Sequence, residues 1–265
     1  MNLQKLMDAY LEEGLTSELA SSRVCQDIVL KAISEGPFSR NVTIKGGVVM
    51  RSLTKNNRRA TKDIDLDFIH YSLQDDSIRE FVQRLNCIDG IRIEMKNEIT
   101  ELKHQDYKGK SIEIRISDES GNTVNSKIDI GVHNHLEIEQ EEYCFDVCMD
   151  DEGSTLLKNT VEQSFVEKLR SLLKFGANSR RYRDLYDMFY LKDIASSEKI
   201  SDTIRILIFD DSGMFEKSFS DIVRRLKTTF KDEQYLKRAS ESRQRWLDND
   251  IYEITDGIVT YLEKM

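Results

Sequence analysis

Residues 63–68, Asp-Ile-Asp-Leu-Asp-Phe, alternate charged and apolar side chains without a break. A period of two is the signature of a β-strand, whose side chains point by turns to its two faces. Ile64, Leu66 and Phe68 therefore face a core, and Asp63, Asp65 and Asp67 share the opposite face. Two carboxylates ~4 Å apart at an effective dielectric of ~20 repel by about 4 kcal/mol. Serine or threonine would build the same strand without that cost. A divalent cation reverses the sign of the interaction, and magnesium, or manganese in its place, suits hard carboxylate oxygens. The strand thus needs a core on one side and a cation on the other.

A second segment supplies a partner. In Lys-Ile-Asp-Ile-Gly, residues 127–131, Ile128 and Ile130 face the core and Asp129 faces away. A neighbouring strand can bring Asp129 beside Asp63 and Asp65. Asp67 is assigned a surface position or a secondary role. Three carboxylates converging on one sheet face are the means of metal-assisted phosphoryl transfer: two bind magnesium, and the third helps bind it or takes a proton from the attacking group. Upstream, a short strand at residues 41–44 runs into Lys45-Gly46-Gly47, where a helix should begin. Glycines let a phosphate approach closely, and a helix start offers free N–H groups. Lys45 and the Arg58–Arg59 pair add positive charge. A triphosphate carrying magnesium would meet donors at one end and carboxylates at the other.

The remaining chain reads as α/β followed by all-α. Residues 1–36 form two helices, and 72–85 a helix with an acidic start. Residues 91–102, 110–117 and 125–133 read as strands, the last two as a hairpin across Asp-Glu-Ser-Gly-Asn-Thr. Residues 143–148 are a weaker strand. From about Thr160 the helical period returns and stays. The expected division is 1–155, a catalytic α/β domain with N-terminal helices, and 156–265, a helical domain completing the nucleotide pocket and acceptor site.

The 265 residues carry a formal net charge of −9, which excludes a generally basic nucleic-acid-coating protein but not a local basic patch. No apolar run approaches a membrane span, and the first residues lack a secretory leader's apolar stretch, so no membrane partner and a cytoplasmic location are expected. Cys25, Cys87, Cys144 and Cys148 lack zinc-site spacing and are expected to be reduced, partly buried thiols.

The order of these elements resembles the nucleotidyltransferase superfamily, and more narrowly the AbiEii/AbiGii toxin family of type IV toxin–antitoxin systems. In that family a hydrophobic strand leads to Gly-Gly, and Arg-x-Ser/Thr-x-Asp-hydrophobic-Asp follows, matched by Arg59-Ala60-Thr61-Lys62-Asp63-Ile64-Asp65. A later strand carries the third acid, matched by Asp129. A helix with Glu-Lys-Leu is matched by 167–169, and Arg-Asp-hydrophobic-Tyr-Asp by 183–187. The match spans residues 44 to about 190. Fifteen residues separate Gly47 from Asp63, a spacing the abortive-infection branch tolerates.

The resemblance implies a nucleotidyltransferase-fold mixed sheet flanked by helices. It also implies a magnesium-dependent enzyme using an NTP, an antitoxin as partner, and tRNA as a substrate of some members. It assigns Arg59, Thr61, Lys168 and Asp184 to the nucleotide pocket. By itself, Lys168 could reach a triphosphate or stand solvated beside Glu167. Asp184 could stabilise a helix start or hold Lys168. Arg180, Arg181 and Arg183 could contact RNA phosphates or begin a wet helix. Asp187, His133 and His135 receive no role.

Two rival readings remain at this level. One is a nucleotidyltransferase acting on a small cationic antibiotic of the aminoglycoside type. The other is a nucleotide- or partner-binding protein without turnover.

Overall fold

The computed structural model describes residues 1–102 and 109–265. It divides into two compact units, Met1–Asn159 and Thr160–Met265.

The first unit begins with helices α1 (Leu3–Glu12) and α2 (Ser17–Glu35). Strand β1 (Val42–Lys45) leads directly into α3 (Gly46–Thr54). Then come β2 (Ile64–Phe68), α4 (Asp75–Arg84), β3 (Ile91–Met95) and β4 (Thr100–Glu101). The unit closes with β5 (Lys110–Asp118), β6 (Thr123–Val132), β7 (Glu141–Val147) and β8 (Asp150–Lys158). One mixed sheet has the order β3-β5-β6-β2-β1-β8-β7, with β4 also paired to β5.

The apolar face of β2 behaves as the alternation requires. Ile64, Leu66 and Phe68 are fully buried with Ile44, Ile128 and Ile130 in a core that includes Val24, Ile28 and Val29 of α2. The expected hairpin is present, with β5 and β6 antiparallel from Lys110↔Ile130 to Ser117↔Thr123. Residues 91–102 do not form one strand. They break into β3 and β4, both pairing with β5, because the segment bends between Met95 and Thr100 while following the same neighbour. Strand β8, which the sequence reading does not contain, adds to β1 in parallel through Thr43↔Leu157 and Ile44↔Lys158. It runs across residue 155, so the compact units part at 159/160 instead.

A polar knot pins α1, α2 and the β7–β8 turn together. Asp27 on α2, fully buried, accepts from Tyr10 Oη and from the Cys148 backbone N–H at 3.0 Å, and Arg23 Nε lies 3.3 Å away. Cys25 is buried, but Cys87 and Cys144 are exposed, more so than the expected partly buried thiols.

The second unit is helical: α5 (Val161–Phe175), α6 (Arg183–Leu191), α7 (Ser197–Ile204), α8 (Phe219–Thr229), α9 (Glu233–Ser240) and α10 (Ile251–Glu263). Thr160 caps α5 by accepting from Gln163 N at 3.0 Å. Phe165, Leu169 and Leu172 of α5 are buried, with α6 and α7 packed against that helix. Among the described residues no helix is long and apolar enough to cross a membrane.

Candidate active site

Register builds the acidic face. Strand β2 lies between β1, antiparallel, and β6, parallel. Lys45 is opposite Asp65, Asp65 is opposite Asp129, and Asp129 is opposite Ser111 of β5. Register partners project to the same face, so Lys45, Asp65, Asp129 and Ser111 form one row across four strands. Asp63 stands just before β2, close enough to feel both neighbours. Burial pushes its carboxyl above the ordinary range, against the pull of Lys127, and the negative charges of Asp129 and Asp65 push the same way.

The three aspartates of residues 63–67 are not equivalent. Asp67 is buried, not at the surface, and Lys45 Nζ reaches diagonally to its Oδ1 at 2.6 Å. Both side chains are under a tenth exposed. Asp67 thus already has its own cation, and Lys45, assigned by sequence to the phosphates, is held against it.

The glycine pair also serves the protein itself. Gly46 has φ +64°, and a Cβ there would lie 2.2 Å from Asp65 Oδ2. A Cβ on Gly47 would lie 2.3 Å from Thr61 Oγ1. The Gly47 N–H points to Asp65 Oδ2 at 3.4 Å. The start of α3 therefore lies directly against Asp65 and Thr61, and no side chain fits between. Thr61 O accepts from Gln26 Nε2 at 2.9 Å, and Gln26 Oε1 accepts from Arg51 Nη1 at 2.6 Å, which ties this loop to α2 and α3. Arg59 is buried, whereas Arg58 is exposed. A cavity of about 200 Å³ bordered by Arg23, Gln26, Arg51, Asn56 and Thr61 opens beside the loop, and none of Asp63, Asp65 and Asp129 lines it.

One residue of the acidic face escapes the sequence reading. Lys127 Nζ lies 2.9 Å from both carboxylate oxygens of Asp129. Burial works against its charge. The hydrogen bond to Asp129 and the fields of Asp129, Asp63 and Asp65 outweigh that and raise its pKa. The signal was available: Lys127 is two residues before Asp129 and so shares its face.

The donor set suits a hard divalent cation in kind, being all oxygen and negatively charged. Asp129 Oδ1 is buried and accepts no well-aligned hydrogen bond, although Lys127 stands beside it. In this arrangement, however, no group of three or more His, Cys, Asp or Glu among the described residues is placed to hold one metal ion.

In the helical unit Lys168 is buried, not solvated beside Glu167. Its Nζ lies 3.2 Å from Asp184 Oδ1 and 3.0 Å from Asp187 Oδ2. Arg181 Nε donates to Asp184 Oδ2 at 2.8 Å, and Trp246 Nε1 donates to Asp187 Oδ1 at 2.9 Å. Asp187, given no role by the sequence, is the fully buried centre of this network. His133 is buried with Nε2 3.1 Å from Ile138 O, and His135 Nδ1 lies 3.5 Å from Glu137.

A family model described as "Nucleotidyl transferase AbiEii toxin, Type IV TA system" matches residues 28–256. The chain belongs to the AbiEii family. It is a nucleotidyltransferase of the toxin class, and this sets aside the antibiotic-modifying and non-catalytic readings. Two solved structures are similar over most of their length. One is a candidate nucleotidyltransferase from H. pylori, 16% identical, covering 94% of this chain and 95% of that one with a TM-score of 0.48. The other is an antigenic nucleotidyltransferase-like protein from Paracoccidioides brasiliensis, 13% identical, covering 84% and 92% with a TM-score of 0.48. No curated protein matches the chain.

Proposed function

We propose that this AbiEii-family chain moves a nucleoside monophosphate from an NTP to a hydroxyl of a cellular macromolecule. The observation that carries the reading is the row in which Asp65 and Asp129 are register partners, with Asp63 beside them and the start of α3 against Asp65. The acceptor oxygen forms a bond to the α-phosphorus, the bond from that phosphorus to the bridging oxygen breaks, and pyrophosphate leaves with the electron pair. Asp63, Asp65 and Asp129 would hold magnesium, or manganese, which supplies charge neutralisation on the triphosphate. Asp129 takes the proton from the acceptor hydroxyl or orients it. Gly46 and Gly47 keep side chains out of the phosphate approach. Arg59 and Thr61 shape the nucleotide side of the same loop.

The nucleotide roles of Lys168 and Asp184 and the tRNA acceptor rest on the family resemblance. So do the partner antitoxin and the cytoplasmic location.

The test offers each α-labelled NTP with magnesium to the purified protein, with total tRNA and with protein extract in separate tubes. Label should move to one acceptor. The double variant Asp63→Asn/Asp65→Asn should lose transfer while melting as a folded protein. Undiminished transfer by that variant refutes the assignment.

A further inference from the structure

Gln26 is fully buried in α2, the helix whose Cys25, Ile28 and Val29 belong to the core. A buried amide is destabilising unless both its ends find partners, so a plain core would put an apolar residue here. Both ends of Gln26 are used. Oε1 accepts from Arg51 Nη1 at 2.6 Å, and Nε2 donates to the Thr61 carbonyl at 2.9 Å. A guanidinium only donates and a carbonyl only accepts, so the amide has one orientation in this place. Arg51 is in α3, the helix that begins with Gly46 and Gly47. Thr61 is in the loop that carries Arg59 and leads to Asp63. Its side chain lies against Gly47, where an added Cβ would meet Thr61 Oγ1 at 2.3 Å. Gln26, Arg51, Ala60 and Thr61 also border the cavity of about 200 Å³, which leaves this loop room to shift.

We propose that Gln26 is a positioning residue for the nucleotide: by joining Arg51 to Thr61 it fixes the loop against the start of α3. This role rests on the transfer reading proposed above. An amide suits it because it accepts at one end and donates at the other, whereas a carboxylate only accepts and a lysine only donates. Gln26→Glu is therefore a selective break. Burial and the neighbouring Arg23 charge lower the pKa of Arg51 to about 10, so it remains a cation at neutral pH and keeps the new carboxyl ionised. That carboxylate still accepts from Arg51, but it faces the Thr61 carbonyl with no proton to give. The next residue keeps its own ties: Lys62 O accepts from Ser126 Oγ at 3.1 Å, and Lys62 Nζ meets Glu18 Oε1 at 2.6 Å. The loop should thus shift without unfolding.

The experiment measures steady-state transfer from each α-labelled NTP, with total tRNA and protein extract as acceptors, for wild type, Gln26→Glu and Gln26→Met. In Gln26→Glu the KM for the NTP should rise about tenfold, the worth of one hydrogen bond, while kcat stays within about twofold. Its melting temperature should stay near that of wild type. Gln26→Met loses both bonds and should show the same rise in KM with a lower melting temperature. A merely structural defect removes active molecules, which lowers kcat at constant KM. Amide hydrogen exchange at residues 59–62 of the substrate-free chain should be faster in both variants, a readout that needs no turnover. Unchanged KM or unchanged exchange, in whichever of the two variants folds, overturns the role of Gln26 while transfer by wild type upholds the proposed function. No transfer by wild type overturns both.

Discussion

The sheet face around Asp65 and the helical network around Lys168 use the same residue types to opposite ends. Around Lys168 one buried ammonium meets two carboxylates, and each carboxylate has a further donor, Arg181 on Asp184 and Trp246 on Asp187. That network is satisfied internally. On the sheet face Asp129 meets the half-exposed ammonium of Lys127, and its buried Oδ1 accepts no aligned hydrogen bond. Buried charge that is paired within the chain serves the fold. A carboxylate whose counter-ion is half-exposed, as that of Asp129 is, would be open to a cation from outside under the reading proposed above. Within strand β2, Asp67 is buried against Lys45, whose register partner on β1 is Asp65.

The largest effect should come from breaking the balanced network. Asp187→Ala strands the Lys168 ammonium with one carboxylate and leaves the Trp246 N–H without its acceptor. Removing one partner of a buried pair costs about 3–5 kcal/mol. A denaturant titration should show that loss, whereas Asp65→Asn should change stability far less. Equal losses would erase the distinction between the two regions.

Next is the backbone that crowds Asp65. Gly46→Ala meets both a left-handed φ and Asp65 itself, so about 1–3 kcal/mol of strain should appear together with lost transfer. Gly14, with φ +89° and nothing within 4 Å of an added Cβ, is the control. Gly14→Ala should show only the cost of the φ, about 1 kcal/mol, with transfer intact. A Gly46→Ala protein with full activity would show that Asp65 need not hold its place.

The smallest effects are in the pH dependence, and their signs should be opposite. Asp118 is held below the usual carboxylate range by the Asn122 side chain and by the N–H groups of Leu3, Asn122 and Ser120, which outweigh desolvation. Its stabilisation is fully present above the ordinary aspartate value of about 3.9 and is lost as pH falls through the depressed one. Asp63 is raised, mainly by burial. Its folded form binds the proton more tightly, so metal-free stability falls as pH rises from about 3.9 to the raised value. At neutral pH in chelator, Asp118→Asn should lower the melting temperature and Asp63→Asn should raise it. Both differences should vanish in strong acid. A lower melting temperature for Asp63→Asn would mean that its charge is compensated within the chain.

Much of this was legible along the chain. The period of two in residues 63–68 and 127–131 correctly separated core from acidic side chains, because strand geometry is local. Gly-Gly before the helix was legible as a close approach, though what approaches is Asp65 and Thr61 as well as any ligand. Strand β8 was not legible, since it joins β1 only through Leu157 and Lys158, more than a hundred positions away, and residues 150–158 alternate only weakly. The bend between β3 and β4 is likewise imposed by a shared neighbour.

The sequence by itself determined which faces are apolar and which are charged, together with the family, because these follow from short-range periodicity and motif order. Only the tertiary structure decided which charge meets which. Lys45 reached Asp67, Lys127 took Asp129, and Trp246 closed on Asp187 from 59 positions away. Electrostatic pairing acts over a few ångströms of space and takes no account of distance along the chain, so register and packing alone settle it.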